Sequence, residues 1–271
     1  MTPTEQWLVS GKKFDLSTID PGSTKGAPGD KAKTNDELDG LNERLFALQE
    51  KLWAEGKRAL LVVLQGLDTG GKDGTIRHVF NGVNPVGVRV TSFKAPSEEE
   101  RRHDFLWRAH RAAPATGEIG IFNRSHYEDV LIVRVHGWVP GPVWRARYDA
   151  INDFERHLAE AGTTIVKLWL HISPDEQAKR LRARLEDPNK RWKFNPEDIE
   201  ERKRWPDYMK AAEEMLQRTS TSAAPWYAVP ADHKWYRNWV VSRILTETLN
   251  AMDPQYPDVT LDHYEIPDVP Q

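Results

Sequence analysis

The 271-residue chain contains no cysteine, which excludes disulfides and thiolate-held metals. It also lacks an excess of charge of either sign. The formal net charge is -3, so there is no overall basic footprint for DNA or RNA, and any polyanion site has to be local. No apolar run is long enough to span a membrane, and the N-terminal stretch MTPTEQWLVSGKKFDL carries no apolar signal core. Internal repeats and low-complexity tracts are absent as well. These absences leave a soluble protein, expected in the cytoplasm, of one or two domains by length. Hydrophobic residues make up 39% and charged residues 29%. Eleven tryptophans are many, and tryptophan favours places that are apolar on one side and polar on the other, clefts included.

Residues 1–34 are polar and rich in Gly, Pro and Lys, and read as an extended arm with no core of its own. Thr34 or Asn35 is expected to cap a helix in which Leu38, Leu41, Leu45, Leu48 and Leu52 recur at helical spacing, closed by Gly56. ALLVVLQG follows, a continuous apolar run of the kind found in strands buried on both faces. Strands at VRVTSF, GEIGIFNRS, TTIVKLWLHIS and PWYAVPAD then alternate with helices. One of these is EEERRHDFLWRAHRAA, capped by Ser97; another runs from Pro142 to a stop at Gly162. This order predicts an α/β fold, a parallel five-stranded sheet between two layers of helices. Between Glu186 and Trp226 no strand signal appears. Pro188 and Pro196 punctuate a loop, a helix restarts after Asn195, and Pro206 breaks it near Trp205. Helical pieces inserted there are expected to form a lid, its cleft lined or its body pinned by Trp192 and Trp205.

The chemistry starts at GLDTGGKDG. Gly66, Gly70, Gly71 and Lys72 fit a phosphate-binding loop placed directly between a buried strand and a helix, with Gly74 just inside that helix. Backbone N–H groups and a helix N-terminus then surround one point, with Lys72 as a mobile cation. The eighth place of the motif, normally Ser or Thr for magnesium, is Asp73. Asp68, inside the loop, would repel phosphates unless a divalent cation lay between them, so it is the expected metal ligand. Asp73 suits either the helix dipole or a metal contact.

A second strand end, IFNRSHYEDV, places Asn123 where other phosphate-loop enzymes carry a metal-supporting Asp. Arg124 beside it can reach phosphate, Ser125 can cap the following turn, and either Glu128 or Asp129 is expected to face the cleft. In the lid, RLRARLEDPNKRWKF gathers Arg180, Arg182, Arg184, Lys190, Arg191 and Lys193. That is enough charge for a nucleotide's phosphates or a longer polyanion.

GLDTGGKDG, FNRSHYEDV, DPNKRWKFN and APWYAVPADHKWYRNW together resemble the family-2 polyphosphate kinases, over about residues 35–255. The resemblance implies a thymidylate-kinase-like P-loop kinase fold with a helical lid, about 184–220. Residues 1–34 would then be an N-terminal extension and 256–271 a C-terminal tail. It implies Mg2+-dependent phosphoryl transfer between inorganic polyphosphate and adenine, or also guanine, nucleotides, and a homo-oligomer, dimer or tetramer, with no DNA, RNA or membrane partner. Carried over by position, Asp68 would hold the magnesium and Gly71, Lys72 and Asp73 would form the transfer loop. Arg124 would clamp the moving phosphoryl group, and Arg184, Lys190, Arg191 and Lys193 would guide phosphates under the lid. Asn123 with Glu128 resembles the subgroup acting on both mono- and diphosphates, which implies AMP to ADP to ATP. Two competing functions are an ATP-dependent nucleoside monophosphate kinase and a non-catalytic binder of nucleotides or polyanions. The missing Ser/Thr speaks against the first, and the intact Lys72, Asp68 and Arg124 against the second.

Overall fold

The computed structural model describes residues 3–259 and residue 267. Most of the expected C-terminal tail and the first two residues of the extension lie outside them. Five parallel strands form one sheet: β1 (Ala59–Gln65), β2 (Val88–Ser92), β3 (Ile119–Asn123), β4 (Thr163–His171) and β5 (Trp226–Pro230), in the spatial order β2-β3-β1-β4-β5. β1 is buried along its whole length because alternate side chains enter two different cores. Leu61 and Val63 join α5 (Gly141–Glu160) and α8 (Trp205–Thr219) on one face. Leu60, Val62 and Leu64 meet α1 (Lys31–Glu55) and α9 (Lys234–Met252) on the other. The three expected layers are present.

From β1 the chain crosses β3 to reach β2, and it returns later to β4 on β1's other side. The carboxyl ends of β1 and β3 are therefore the point where strand order reverses, the place at which open α/β sheets form their ligand crevice. The phosphate loop runs from there into α2 (Lys72–Val79), and β3 leads through its turn into the short α4 (Ile132–Val135). Two helices, α6 (Pro174–Glu186) and α7 (Glu197–Lys203), lead to α8 with a break at Arg204, where Pro206 stands at the start of α8.

Some expectations are corrected. α1 starts before Thr34: Asp30 is its cap, with the carboxylate accepting from Lys33 N, and the Thr34 hydroxyl inside the helix donates to Asp30 O. Asp30 outcompetes Thr34 because the helical pattern extends through the charged residues Lys31 and Lys33. Ser97 and Glu100 do form a reciprocal cap, but over a short 3-10 turn. Asp104 then caps a second start through Leu106 N, so only α3 (Trp107–Ala112) is regular helix. The N-terminal arm has no core of its own but buries Trp7, Val9, Phe14 and Leu16 on the body. Val9 N donates to Trp226 O at 2.9 Å beside β5, and Trp7 meets Trp239 edge-on at 5.7 Å.

Candidate active site

The loop's shape is set by glycines where side chains cannot fit. Gly71 has φ +100°, and a Cβ there would lie 1.9 Å from Arg237 Nη1. Gly66 has φ +154°, and its Cβ would meet Leu170 O at 2.8 Å. Lys72 is buried and folds back, its Nζ donating to Gly66 O at 2.6 Å and Leu67 O at 3.1 Å. Burial, helped by the nearby Arg124 charge, brings the Lys72 ammonium down to about 8.

Arg124 follows β3 with φ +57°, a left-handed conformation rare for a residue with a side chain. Thr69 in the facing loop shares it at +62°. Such outliers gather at functional sites, held by their surroundings. Arg124 N donates to Leu64 O at 3.0 Å, which fixes the backbone. The guanidinium bridges two carboxylates: Nη2 donates to Asp68 Oδ1, and Nη1 donates to Glu128 Oε2 at 3.1 Å. Glu128 first, and Asp68 with it, hold Arg124 firmly charged. Gln65 Nε2 donates to Glu128 Oε1 at 3.1 Å, so both carboxylate oxygens are oriented. Of the two acids considered for the cleft, Glu128 takes the place. Asp129 turns to Arg147, with 3.1 Å to Nη1, and to Arg108. Ser125 caps the turn, as expected, by accepting from Tyr127 N.

Asp73 lies in the first turn of α2, where its charge suits the helix dipole, and it makes no cap hydrogen bond. Its Oδ1 accepts from Asn123 Nδ2 at 2.8 Å, so these two residues orient each other across the mouth of the loop. One cavity joins Gly66, Asp68, Arg124 and Glu128 to Glu201, Arg202, Trp205 and Tyr208 from α7 and α8. Trp205 therefore lines the cleft. Trp192 does neither of the things expected of it and stands 78% exposed.

The cations of the segment from α6 to α7 are mostly engaged within it. Arg184 donates to Lys193 O at 3.0 Å and to Asp198 Oδ2 at 2.9 Å, and Lys190 pairs with Asp187 at 2.5 Å. Arg191 donates to Leu185 O, and Lys193 lies 4.9 Å over the Trp192 ring. Arg180 pairs with Glu176 at 2.7 Å on its own helix and also donates to Thr69 O at 2.9 Å and Ala231 O at 2.6 Å, so that it braces the phosphate loop.

Sequence reading missed Arg237. It projects from the first turns of α9 against Gly71 and Gly74 and is buried. Its side-chain partner is Asn238, whose Oδ1 accepts at 2.7 Å. Among the described residues no carboxylate pairs with it. Burial, and then the neighbouring Arg180 charge, bring it down to about 9. Lys234, also pushed down by burial and by Arg180 and Arg237, completes a cationic patch beside the N-terminus of α2. The only sequence signal was basic residues in HKWYRNW, and nothing local told that they reach the loop.

Comparison with known proteins places these features. Residues 29–257 match the family described as Polyphosphate kinase 2 (PPK2). An AMP/ADP-polyphosphate phosphotransferase of Meiothermus ruber is 55% identical over 245 residues, 90% of this chain and 92% of the relative. An ADP-polyphosphate phosphotransferase of Rhodopseudomonas palustris is 49% identical over 230 residues, 80% of each chain. The crystal structure of Polyphosphate Kinase 2 from Arthrobacter aurescens TC1 superposes with a TM-score of 0.94 at 48% identity, over 97% of this chain and 94% of that one.

Proposed function

The chain belongs to the Polyphosphate kinase 2 family, and from that premise we propose that it moves the terminal phosphoryl group of inorganic polyphosphate onto adenine nucleotides. ADP becomes ATP and AMP becomes ADP. Guanine nucleotides as further acceptors, and assembly as a dimer or tetramer, belong to the same proposal and rest on the resemblance alone. The observation that carries it is Arg237, a buried guanidinium with no carboxylate partner among the described residues, set against the phosphate loop. Buried charges are normally paired. A polyanion lying along the loop supplies the missing partner, and Lys234 extends the patch for a chain of phosphates, while Arg180, paired with Glu176 and bound to the Thr69 and Ala231 carbonyls, holds the loop in place beside it.

The acceptor's terminal oxygen attacks the terminal phosphorus of the polyphosphate. That P–O bond forms while the bond to the next bridging oxygen breaks, and the shortened polyphosphate leaves with the electron pair. A charged phosphate is already a competent nucleophile, so positioning and charge neutralisation carry the reaction. Loop amides and Lys72 cradle the donor, the phosphates replacing the carbonyls of Gly66 and Leu67 at its Nζ. Arg124, oriented by Asp68 and Glu128, clamps the transferring group. Magnesium is the metal we assign. Among the described residues no set of three His, Cys, Asp or Glu side chains gathers to hold one. Asp68, with Glu128 across the same guanidinium, fits a cation that takes one or two carboxylates and completes its shell with phosphate oxygens. When bound, it neutralises phosphate charge beside Asp68. Asn123 and Asp73 hold the loop mouth, and Lys190, Arg191 and Lys193 bring further positive charge from the lid. Arg184 holds the lid turn together.

Arg237→Met tests the carrying observation. Removing a charge that the fold leaves unpaired is expected to leave Tm unchanged or raise it, while the KM for polyphosphate rises at least about tenfold, the loss of one charge-assisted contact. An unchanged KM would separate Arg237 from the donor. Glu128→Ala is expected to cut AMP phosphorylation more than ADP phosphorylation, because the less charged acceptor depends more on an orienting carboxylate. Parallel initial rates on the two acceptors decide this, and equal losses count against it.

A further inference from the structure

On the face of the sheet away from Arg237, three ionisable groups are buried together. Lys167 on β4, Glu155 on α5 and Tyr127 in the turn after β3 are each at most 1% exposed. The Lys167 ammonium has three donors, and all three are used: Glu155 Oε2 at 2.5 Å, Tyr127 Oη at 2.8 Å and the Thr219 carbonyl at 2.6 Å. Tyr127 Oη in turn donates to Glu155 Oε1 at 2.7 Å. The cluster is closed, with both carboxylate oxygens and the phenol satisfied. Tyr127 and Trp226 flank the ammonium with their rings, each 5.2 Å away. His126 stands beside it, its Nε2 3.5 Å from Glu155 and its ring edge-on to Phe154.

Burying an ion pair is a poor way to stabilise a fold, since apolar residues of similar volume often do as well or better. What this cluster does offer is a fixed geometry between parts of the chain that are otherwise separate. Tyr127 lies immediately before Glu128 and three residues after Arg124. Thr219 is the last residue of α8, whose first turns bring Trp205 and Tyr208 to the cleft. The Trp226 indole also holds this helix end, donating to Thr219 Oγ1 at 2.9 Å. One ammonium therefore grips both the turn that aims Arg124 and Glu128 and the end of the helix that carries the lid side of the same cavity.

We propose that Lys167, with Glu155 and Tyr127, is a positioning device that sets the catalytic turn against the base of the lid helix. It touches no substrate and acts through Glu128 and Arg124 on one side and α8 on the other. The inference rests on the proposed polyphosphate transfer for its kinetic readout, and has a second readout that does not.

The test uses two variants of the full chain. Tyr127→Phe keeps the Lys167–Glu155 pair and frees the turn. Lys167→Met with Glu155→Leu removes both charges at once, so no lone charge is left buried. For each, kcat with ADP is expected to fall at least tenfold with the KM for ADP within twofold, and the AMP-to-ADP rate ratio is expected to shift. Tm is expected to stay within a few degrees of wild type. Hydrogen exchange is expected to quicken at residues 124–131 in Tyr127→Phe, and at both 124–131 and 205–219 in the double variant. If the double variant does not fold, Tyr127→Phe decides alone. Wild-type kcat and unchanged exchange in Tyr127→Phe would overturn the proposal. A wild type inactive with polyphosphate would overturn the transfer reading instead, and the exchange data would still decide whether the cluster joins the two segments.

Discussion

Asp68→Asn is expected to lower phosphoryl transfer about a thousandfold or more and to leave the fold intact. Two effects add in that direction. The neutral amide is a poor magnesium ligand, and loss of the metal's charge stabilisation alone is worth about 4 kcal/mol of barrier, or roughly a thousandfold. The amide also releases Arg124 from one of its two carboxylates, so the guanidinium shifts toward Glu128 and away from the moving phosphoryl group. The fold does not depend on this pair. Its side chains are 34% and 27% exposed, and such an ion pair contributes about 1 kcal/mol or less. Steady-state rates with a magnesium titration, together with Tm, give both halves of the result. Wild-type activity in the variant would place the metal elsewhere.

Lys72→Met is expected to reduce transfer by at least about a hundredfold, the scale of removing one preorganised donor from a transition state. Its stability effect has the opposite sign. Burial holds the folded-state pKa of Lys72 near 8, below the 10.5 of an unburied lysine. The unfolded chain therefore binds the proton more tightly, which costs the wild type stability at every pH below about 8. That cost diminishes as the pH rises from 8 to 10.5, because stability increases wherever the unfolded state holds more protons. Methionine, similar in length and uncharged, carries no such cost. In phosphate-free buffer at pH 7 the variant is expected to melt higher than wild type, with the gap closing toward pH 10.5. A variant that melts lower at pH 7 would mean that the ammonium's bonds to Gly66 and Leu67 outweigh its desolvation.

Much of this was legible in the chain because the signals are local. The apolar run of β1, the glycine pattern of the loop and the prolines between β4 and β5 each dictate their own surroundings, and the strand, the loop and the broken helices lie where they were expected. Arg124 was legible for the same reason, and the strand end with its capped turn narrowed the cleft acid to Glu128 or Asp129; what separates them is tertiary, the pairing of Asp129 with Arg147 and Arg108. The misses are tertiary. Arg237 reaches Gly71 only because α9 packs along α2, a contact that no window of sequence contains. Lys167 sits in an apolar strand pattern, and its partners come from α5, the β3 turn and the end of α8. Trp192 carries as much apolar surface as Trp205, yet one is exposed and the other lines the cavity. Composition cannot tell them apart. Thr34 is a good cap residue, but Asp30 four residues earlier is one too, and with its carboxylate taking Lys33 N the helix starts there and leaves Thr34 buried inside it.

The decisive experiment is simple. Purified protein is mixed with ADP or AMP, inorganic polyphosphate and magnesium, without ATP, and nucleotide products are followed by chromatography. ATP is expected from ADP, and ADP followed by ATP from AMP, with both reactions stopped by chelating the metal. No phosphorylated product from either acceptor, in the presence of intact polyphosphate and magnesium, would contradict polyphosphate-driven nucleotide phosphorylation by this chain.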